Sequence, residues 1–350
     1  MDIFLIYGGK SAEHDISIIS AFYILKEIFY DNYQVNLVYI SREGVWLEGP
    51  TITDPDQVQN ENDLRLGDTA EKFDFAKLQE EEAIAFPVLH GPNGEDGTVQ
   101  GLFEVLNVPY VGCGVLASST GMDKIISKAL FEQAGIPQLP YQAILYNNWV
   151  YDPEEVVRDI ESHLSYPIFV KPANMGSSVG ISQVHDQEEL KAGINLAFEY
   201  DHRIVVEEGV TAREIEMSIL GNEDVHTSVP GELVKDAQFY DYAAKYENNT
   251  VQLDIPAKLD SEVVSQLKVY ATKAFLAIDG SGLTRADFFV TEDKKIYINE
   301  VNTFPGFTTI SMYPKLWEET GLSYKDLIEE LIQLGLKRHR MKQAKQLKDR

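Results

Sequence analysis

The chain has 350 residues, 44% of them hydrophobic and 11% aromatic, which is too much for one compact core and suggests two or three domains. Its net charge of −26 argues against nonspecific nucleic-acid binding, because phosphates demand basic surface. One cysteine, Cys113, excludes an internal disulfide and a cysteine-built zinc site; no apolar run approaches the ~20 residues of a membrane helix, and the N-terminus reads as a strand rather than a secretory signal, so a cytoplasmic protein is expected.

Residues 3–7 predict a first strand ending at Gly8-Gly9. Glu13-His14-Asp15 then leads into a helix over 15–29 that Asp15 or Ser17 can cap. Glu13 has no such structural use, and an acid at that mouth can hold a substrate ammonium. A strand follows over 34–40, whereas residues 50–80 are acidic and weakly periodic, which predicts loop and surface helix. Residues 83–89 read as a buried strand running into the glycine-rich segment HGPNGEDGTVQG. Alternation of this kind predicts an α/β domain with a parallel sheet and a ligand crevice at the strand C-terminal ends. Gly8-Gly9 and His90-Gly91 fall there; His90 can touch phosphate or satisfy the turn. Two motif matches carry no weight. Gly9-Lys10-Ser11 ends like a P-loop, but Phe4 stands where its first glycine should be. Gly112 to Ala117 fits a dinucleotide fingerprint, but it lies in mid-chain, and Glu132 and Gln133, about twenty residues on, fall inside a predicted helix.

A second unit begins near Asp123, with a helix over GMDKIISKALFEQAG, a strand YPIFVKP and a strand RIVVEEG. After Lys171 at a strand end, the loop 173–180 carries Gly176, Ser177, Ser178 and Gly180, a composition that turns backbone N–H groups toward an anion or simply closes a hairpin. A third unit runs from about Glu214, with strands EIEMSIL, RADFFV and KIYINEV and no long intervening helices, which favours an antiparallel α+β arrangement. It closes with a helix over 324–336. The basic tail, residues 337–350, is expected to continue that helix into solvent. The segment 234–252, aromatic and poorly periodic, suits a closing lid with Lys245 and Tyr246 facing inward.

The hairpin TRADFFVTEDKKIYINEVN is the most informative segment. Arg285 and Asp287 share one face, as do Glu300 and Asn302. A turn of two or four residues sets Asp287 opposite Glu300, where two acids repel unless hard cations intervene. An odd turn would break that pairing. The alternative is the solvated polar face of an ordinary hairpin.

Taken in order, GGKSAEHDISIISA, HGPNGEDGTVQG, GMDKIISK, KPANMGSSVG, FYDYAAKY and NEVNTFPGFTTISMYP resemble the D-alanine–D-alanine ligases, of the ATP-grasp fold, across nearly the whole chain. The resemblance implies an N-terminal pre-ATP-grasp domain over 1–122 and a two-lobed ATP-grasp fold over 123–213 and 214–336. It implies that Glu13 binds the ammonium of the first D-alanine, that Ser177 and Tyr246 bond to each other and to it, and that His90 and Ser311 contact substrate. Lys124, Lys171, Ser178 and Lys245 would contact ATP, with Glu207, Val210 and Glu214 lining its adenine and ribose pocket. Asp287, Glu300 and Asn302 would ligate two Mg²⁺ or Mn²⁺ ions, and Arg285 with the N–H of Gly306 would stabilise an oxyanion. Two D-alanines and ATP are the implied partners, in a homodimer. Tyrosine at 246 implies a dipeptide product rather than D-alanyl-D-lactate.

Overall fold

The computed structural model describes residues 1–67, 69–234 and 252–346. The first unit is built on β1 (Asp2–Gly8), which pairs in parallel with β2 (Gln34–Ile40) and β4 (Ala83–Val88). Helix α1 (His14–Lys26) follows β1 and covers one face; β3 (Trp46–Ile52) adds antiparallel to β2 and gives the order β3-β2-β1-β4. Strands β1 and β4 are apolar on both faces because helices cover both, as parallel sheets require. Ile3, Leu5 and Phe86 pack with α1, and Phe4, Ile6 and Ala85 pack with Val99 and Phe103 of α2 (Thr98–Leu106). Helix α3 (Val115–Met122) ends the unit.

Two expectations need correction here. Residues 46–52 form a strand, although Gly49 and Pro50 obscure it; its place at the sheet edge tolerates both. Asp15 does not cap α1. It lies in the first turn and pairs with Arg42 and Arg65, at 2.5 and 2.8 Å, while Ser17 accepts from the Gly8 N–H at 2.8 Å and donates to the Val88 carbonyl.

The second unit opens with α4 (Lys124–Gln133), whose N-cap Asp123 accepts from the N–H groups of Ile125 and Ile126. Strand β5 (Tyr141–Leu145), helices α5 (Tyr146–Tyr151) and α6 (Pro153–His163), strands β6 (Ile168–Pro172) and β7 (Ser182–Val184), helix α7 (Gln187–Phe198) and strand β8 (Arg203–Glu208) follow. The sheet is antiparallel in the order β5-β8-β6-β7, and its helices bury Val157, Ile160, Leu190 and Ile194 against Ile168 and Ile204.

The third unit is an antiparallel sheet, as expected. Among the described residues β9 (Arg213–Gly221) carries the two-residue β10 (His226–Thr227) and β11 (Gly231–Val234), with β12 (Gln252–Asp254) outside β11. A long helix was not expected between these strands, yet α8 (Ser261–Ala277) lies there, burying Val263, Leu267, Ala271, Ala274 and Phe275 at helical spacing. Strands β13 (Gly282–Val290) and β14 (Ile296–Asn302) complete the sheet, followed by α9 (Met312–Thr320) and α10 (Tyr324–Gln346). Helix α10 does extend into the basic tail, but it docks on protein rather than running into solvent. Arg338 donates to the carbonyls of Gly112 and Tyr110 and to Ser281 Oγ, stacks over the Tyr110 ring at 4.1 Å, and Lys342 pairs with Glu104.

Candidate active site

The β13–β14 hairpin departs from its expected form in one respect and arrives at the expected pairing by another. Its turn is odd: Val290 pairs with Ile296, leaving the five residues 291–295 in the turn, where the Thr291 N–H donates to the Lys295 carbonyl at 3.0 Å. That register continues to Phe288 and Ile298, with Ile296 and Ile298 facing the core. A bulge at Asn299 then adds one residue to β14, so that Asp287 pairs with Glu300 and Arg285 with Asn302 after all. The bulge also changes the face of the strand: Val301 enters the core, and Glu300 and Asn302 leave it.

A third acid stands in the same row. Glu216 of β9 pairs with Asp287 from the other side, so Glu216, Asp287 and Glu300 line one face of three adjacent strands. Their charges are met by cations. Arg285 grips Asp287 with two hydrogen bonds of 2.7 Å and lies 3.0 Å from Glu216; Lys124 lies 3.5 Å from Glu300. Burial works against the Arg285 charge, but Asp287 and Glu216 outweigh it and raise its pKa further. Asn302 Oδ1 accepts the Phe304 N–H at 3.0 Å. Asp287, Glu300 and Asn302 are all oxygen donors, the chemistry that suits hard divalent ions, with Arg285 occupying both Asp287 oxygens in this structure.

Beside the hairpin lies a buried ladder of charge. Glu207 of β8 receives Lys171 of β6 at 2.7 Å and Lys128 of α4, all three buried. Burial alone would raise the Glu207 pKa; the two lysines overcome it and hold the carboxyl down to about 2. Burial depresses Lys128, whereas Glu207 more than offsets it at Lys171. Lys171 also donates to Asn299 Oδ1 at 3.3 Å. Lys124, one helical turn before Lys128, donates to the Met175 carbonyl at 2.7 Å and so fastens the glycine-serine loop. That loop does close a β6–β7 hairpin, and Ser177 and Ser178 hold left-handed φ values of +50° and +61°. Val210 follows β8, and Glu214 lies on β9, where its charge acts on Lys171.

Ser177 Oγ donates to Glu13 Oε1 at 2.5 Å, joining the loop to the start of α1. Around this carboxylate Gly91 and Gly176 leave space: a Cβ on Gly91 would sit 2.9 Å from Glu13 Oε2. His90 is buried, with Nδ1 at 3.2 Å from the Phe304 carbonyl and Nε2 at 3.3 Å from Ser20 Oγ; burial lowers its pKa despite Glu13 nearby. His90 and Ser20 thus pin the segment after β14, since Ser20 Oγ also accepts the Phe307 N–H at 3.2 Å. In that segment Ser311 Oγ accepts the Thr308 N–H at 2.9 Å, and a Cβ on Gly306 would approach it to 2.8 Å. Tyr246 and Lys245 lie outside the described residues.

Four residues here escaped the sequence reading. Lys128 was legible as the i+4 partner of Lys124 on one helix face. Glu216 had a signal in its alternation with Ile215 and Met217, which sets it on one face with Glu214 and Ser218. Glu95 accepts the Gly91 N–H at 2.6 Å, and burial first, then Glu13, pushes its carboxyl up to about 8; its segment read only as a turn. Asn299 gave its signal in the spacing of Ile296, Ile298 and Val301.

Comparison with known proteins places this geometry. A family model described as D-ala D-ala ligase N-terminus matches residues 2–113, and one described as D-ala D-ala ligase C-terminus matches residues 130–333. A D-alanine–D-alanine ligase of Enterococcus faecalis is 54% identical over 346 residues, 97% of this chain and 99% of the relative. One from Staphylococcus carnosus is 51% identical over 352 residues, 99% of this chain and 98% of the relative. Among solved structures, the D-alanine-D-alanine ligase from Coxiella burnetii matches with a TM-score of 0.82 at 32% identity, covering 98% of this chain and 96% of that one. The VanG D-Ala:D-Ser ligase from Enterococcus faecalis gives 0.85 at 32%, covering 95% and 99%. The two sheets that face each other across the lysines and the acidic hairpin are the lobes of an ATP-grasp fold. The chain belongs to the D-alanine–D-alanine ligase family.

Proposed function

We propose that the protein joins two D-alanines to D-alanyl-D-alanine at the expense of ATP, through a D-alanyl phosphate, for peptidoglycan precursor synthesis. The observation that carries this reading is a chain of contacts: Ser177 holds Glu13, Lys124 fastens the loop that bears Ser177 and reaches Glu300, Lys171 reaches Asn299 beside it, and Arg285 grips Asp287 opposite. Residues 1–122 are the pre-ATP-grasp domain, 123–213 the central lobe, and 214–336 the C-terminal lobe with its lid.

Glu13, held by Ser177, binds the ammonium of the first D-alanine in the space that Gly91 and Gly176 leave. A carboxylate is a poor electrophile, and transfer of the γ-phosphoryl group to it makes a good one; Lys124 and Lys171 offset the phosphate charge, mostly by positioning. Ser178 contacts the same phosphates, and Glu207, Val210 and Glu214 line the adenine and ribose pocket. Asp287, Glu300 and Asn302 hold two Mg²⁺ or Mn²⁺ ions, which supply positive charge to the phosphoryl group when bound. The second D-alanine, its carboxylate held by Ser311, gives up its ammonium proton and attacks the acyl carbonyl as a free amine; Arg285 with the Gly306 N–H stabilises the tetrahedral oxyanion, which collapses to the peptide bond and expels inorganic phosphate. Tyr246 and Lys245 belong to the segment 234–252, whose composition suits a lid that would keep water from the acyl phosphate. The protein is cytoplasmic and a homodimer. Val105 and Leu116, 85% and 59% exposed on neighbouring helices of the N-terminal unit, support the dimer.

Phosphate release tests the reading, measured with D-alanine, with L-alanine, and with D-alanine plus D-lactate or D-serine, each with and without Mg²⁺. Turnover with D-alanine alone and dependence on Mg²⁺ are expected. Release only when D-lactate or D-serine is added would replace the dipeptide reading with a different acceptor.

A further inference from the structure

We infer that Asn299 is a positioning residue that aims the Lys171 ammonium at the nucleotide phosphates. The inference rests on the reading above, in which Lys171 meets those phosphates. A lysine ammonium is a point charge on a flexible four-carbon stem with three rotatable donors, so its aim must come from its acceptors. Lys171 Nζ has Glu207 Oε2 at 2.7 Å and Asn299 Oδ1 at 3.3 Å. Two fixed acceptors define two of the three N–H directions and leave the third to one place. Glu207 alone does not fix the aim, because it lies in the central lobe and is shared with Lys128.

Asn299 stands at the bulge, on the face away from the core. It is the residue added between the pairs Phe288–Ile298 and Asp287–Glu300, and it leaves the core face that Ile298 occupies. The same stretch is tied to the central unit, since the Ile298 N–H donates to the Pro137 carbonyl at 2.9 Å. The acidic hairpin and the phosphate lysine are therefore fixed to each other at one point of the chain. An amide suits the position. It accepts a hydrogen bond without adding another negative charge beside Glu300, and it leaves the Lys171 charge for an anion.

Steady-state kinetics of the full chain test this with Asn299→Leu, Asn299→Asp and Lys171→Met. Asn299→Leu, which removes the acceptor at similar size, is expected to raise KM for ATP about tenfold. KM for D-alanine and the Mg²⁺ concentration for half-maximal rate should stay within about twofold of the parent, against that tenfold change. Asn299→Asp, which keeps an acceptor oxygen, should hold KM for ATP within about threefold. An unchanged KM for ATP in Asn299→Leu, beside a large rise in Lys171→Met, overturns the inference alone. An unchanged KM for ATP in Lys171→Met overturns the phosphate reading beneath it. A rise in the Mg²⁺ requirement that matches the rise in KM for ATP means that Asn299 acts through hairpin register, and it too overturns the inference, as does Asn299→Asp behaving like Asn299→Leu.

Discussion

Replacing Glu207 by Gln should destabilise the protein by ~3–5 kcal/mol, the usual cost of breaking a buried ion pair from one side. Its side chain and that of Lys128 are each 2% exposed, so the substitution leaves Lys128 buried without a counter-charge and weakens the hold on Lys171. At ~2–4 °C for each kcal/mol, the melting temperature at pH 7 without nucleotide should fall by about 6–20 °C. Adding Lys128→Met to Glu207→Gln should recover part of the loss, because it removes the stranded charge and supplies apolar volume. A single variant melting within about 2 °C of the parent, against the fall expected above, would refute the reasoning. So would a double variant no better than the single one. Acid unfolding supplies an independent check. The Glu207 carboxyl is held below its ordinary 4.5, at about 2, so its contribution is present above pH 4.5 and is lost as pH falls toward 2. Across that window Glu207→Gln should lose less stability than the parent.

Further outcomes follow from other parts of the site. Glu300→Gln should abolish turnover with a melting temperature near the parent's; near-normal activity in saturating Mg²⁺ would refute the ligand assignment. Glu95 carries the opposite sign from Glu207: its carboxyl is raised from 4.5 to about 8, so stability is full below pH 4.5 and declines as pH rises through 8, by up to ~1.4 kcal/mol per pH unit. Glu95→Gln should flatten that decline and melt above the parent at pH 8.5 in substrate-free protein, and thermal shift over pH 5–9 will show whether it does. Arg338→Met should lower stability by ~1–3 kcal/mol by releasing the hydrogen bonds that dock the last helix, with KM values unchanged; proteolysis of the 337–346 segment provides the readout.

Much of this structure is legible in the sequence wherever one local pattern decides. Residues 34–40 are rich in β-branched and aromatic side chains between the turn residues Asp31-Asn32 and Ser41, and the strand occupies that range. Helix α8 was equally legible: Val263, Leu267, Ala271 and Phe275 recur every four residues. Strand β3 was not, because Gly49 and Pro50 break its alternation and its place comes from partners distant in sequence, β2 on one side and residues 71–73 on the other. The hairpin shows how a pairing can be anticipated for an incomplete reason. Strict alternation demands an even turn, but Ile296, Ile298 and Val301 are spaced two and then three, and that single irregularity encodes both the odd turn and the bulge that offsets it. Contacts between units left the least trace. Lys128 with Glu207, and His90 with Phe304, join residues 79 and 214 positions apart, and nothing local announces them.

The bulge at Asn299 lies between the reverse turn and the Asp287–Glu300 pair, so the tip of the hairpin is insulated from the chemistry at its base. As long as Val290 and Ile296 remain opposite each other, residues can be inserted at the exposed Glu292–Asp293 without shifting an acid out of line. A short epitope or a dye-bearing cysteine placed there would give this ligase a handle that leaves its working face untouched.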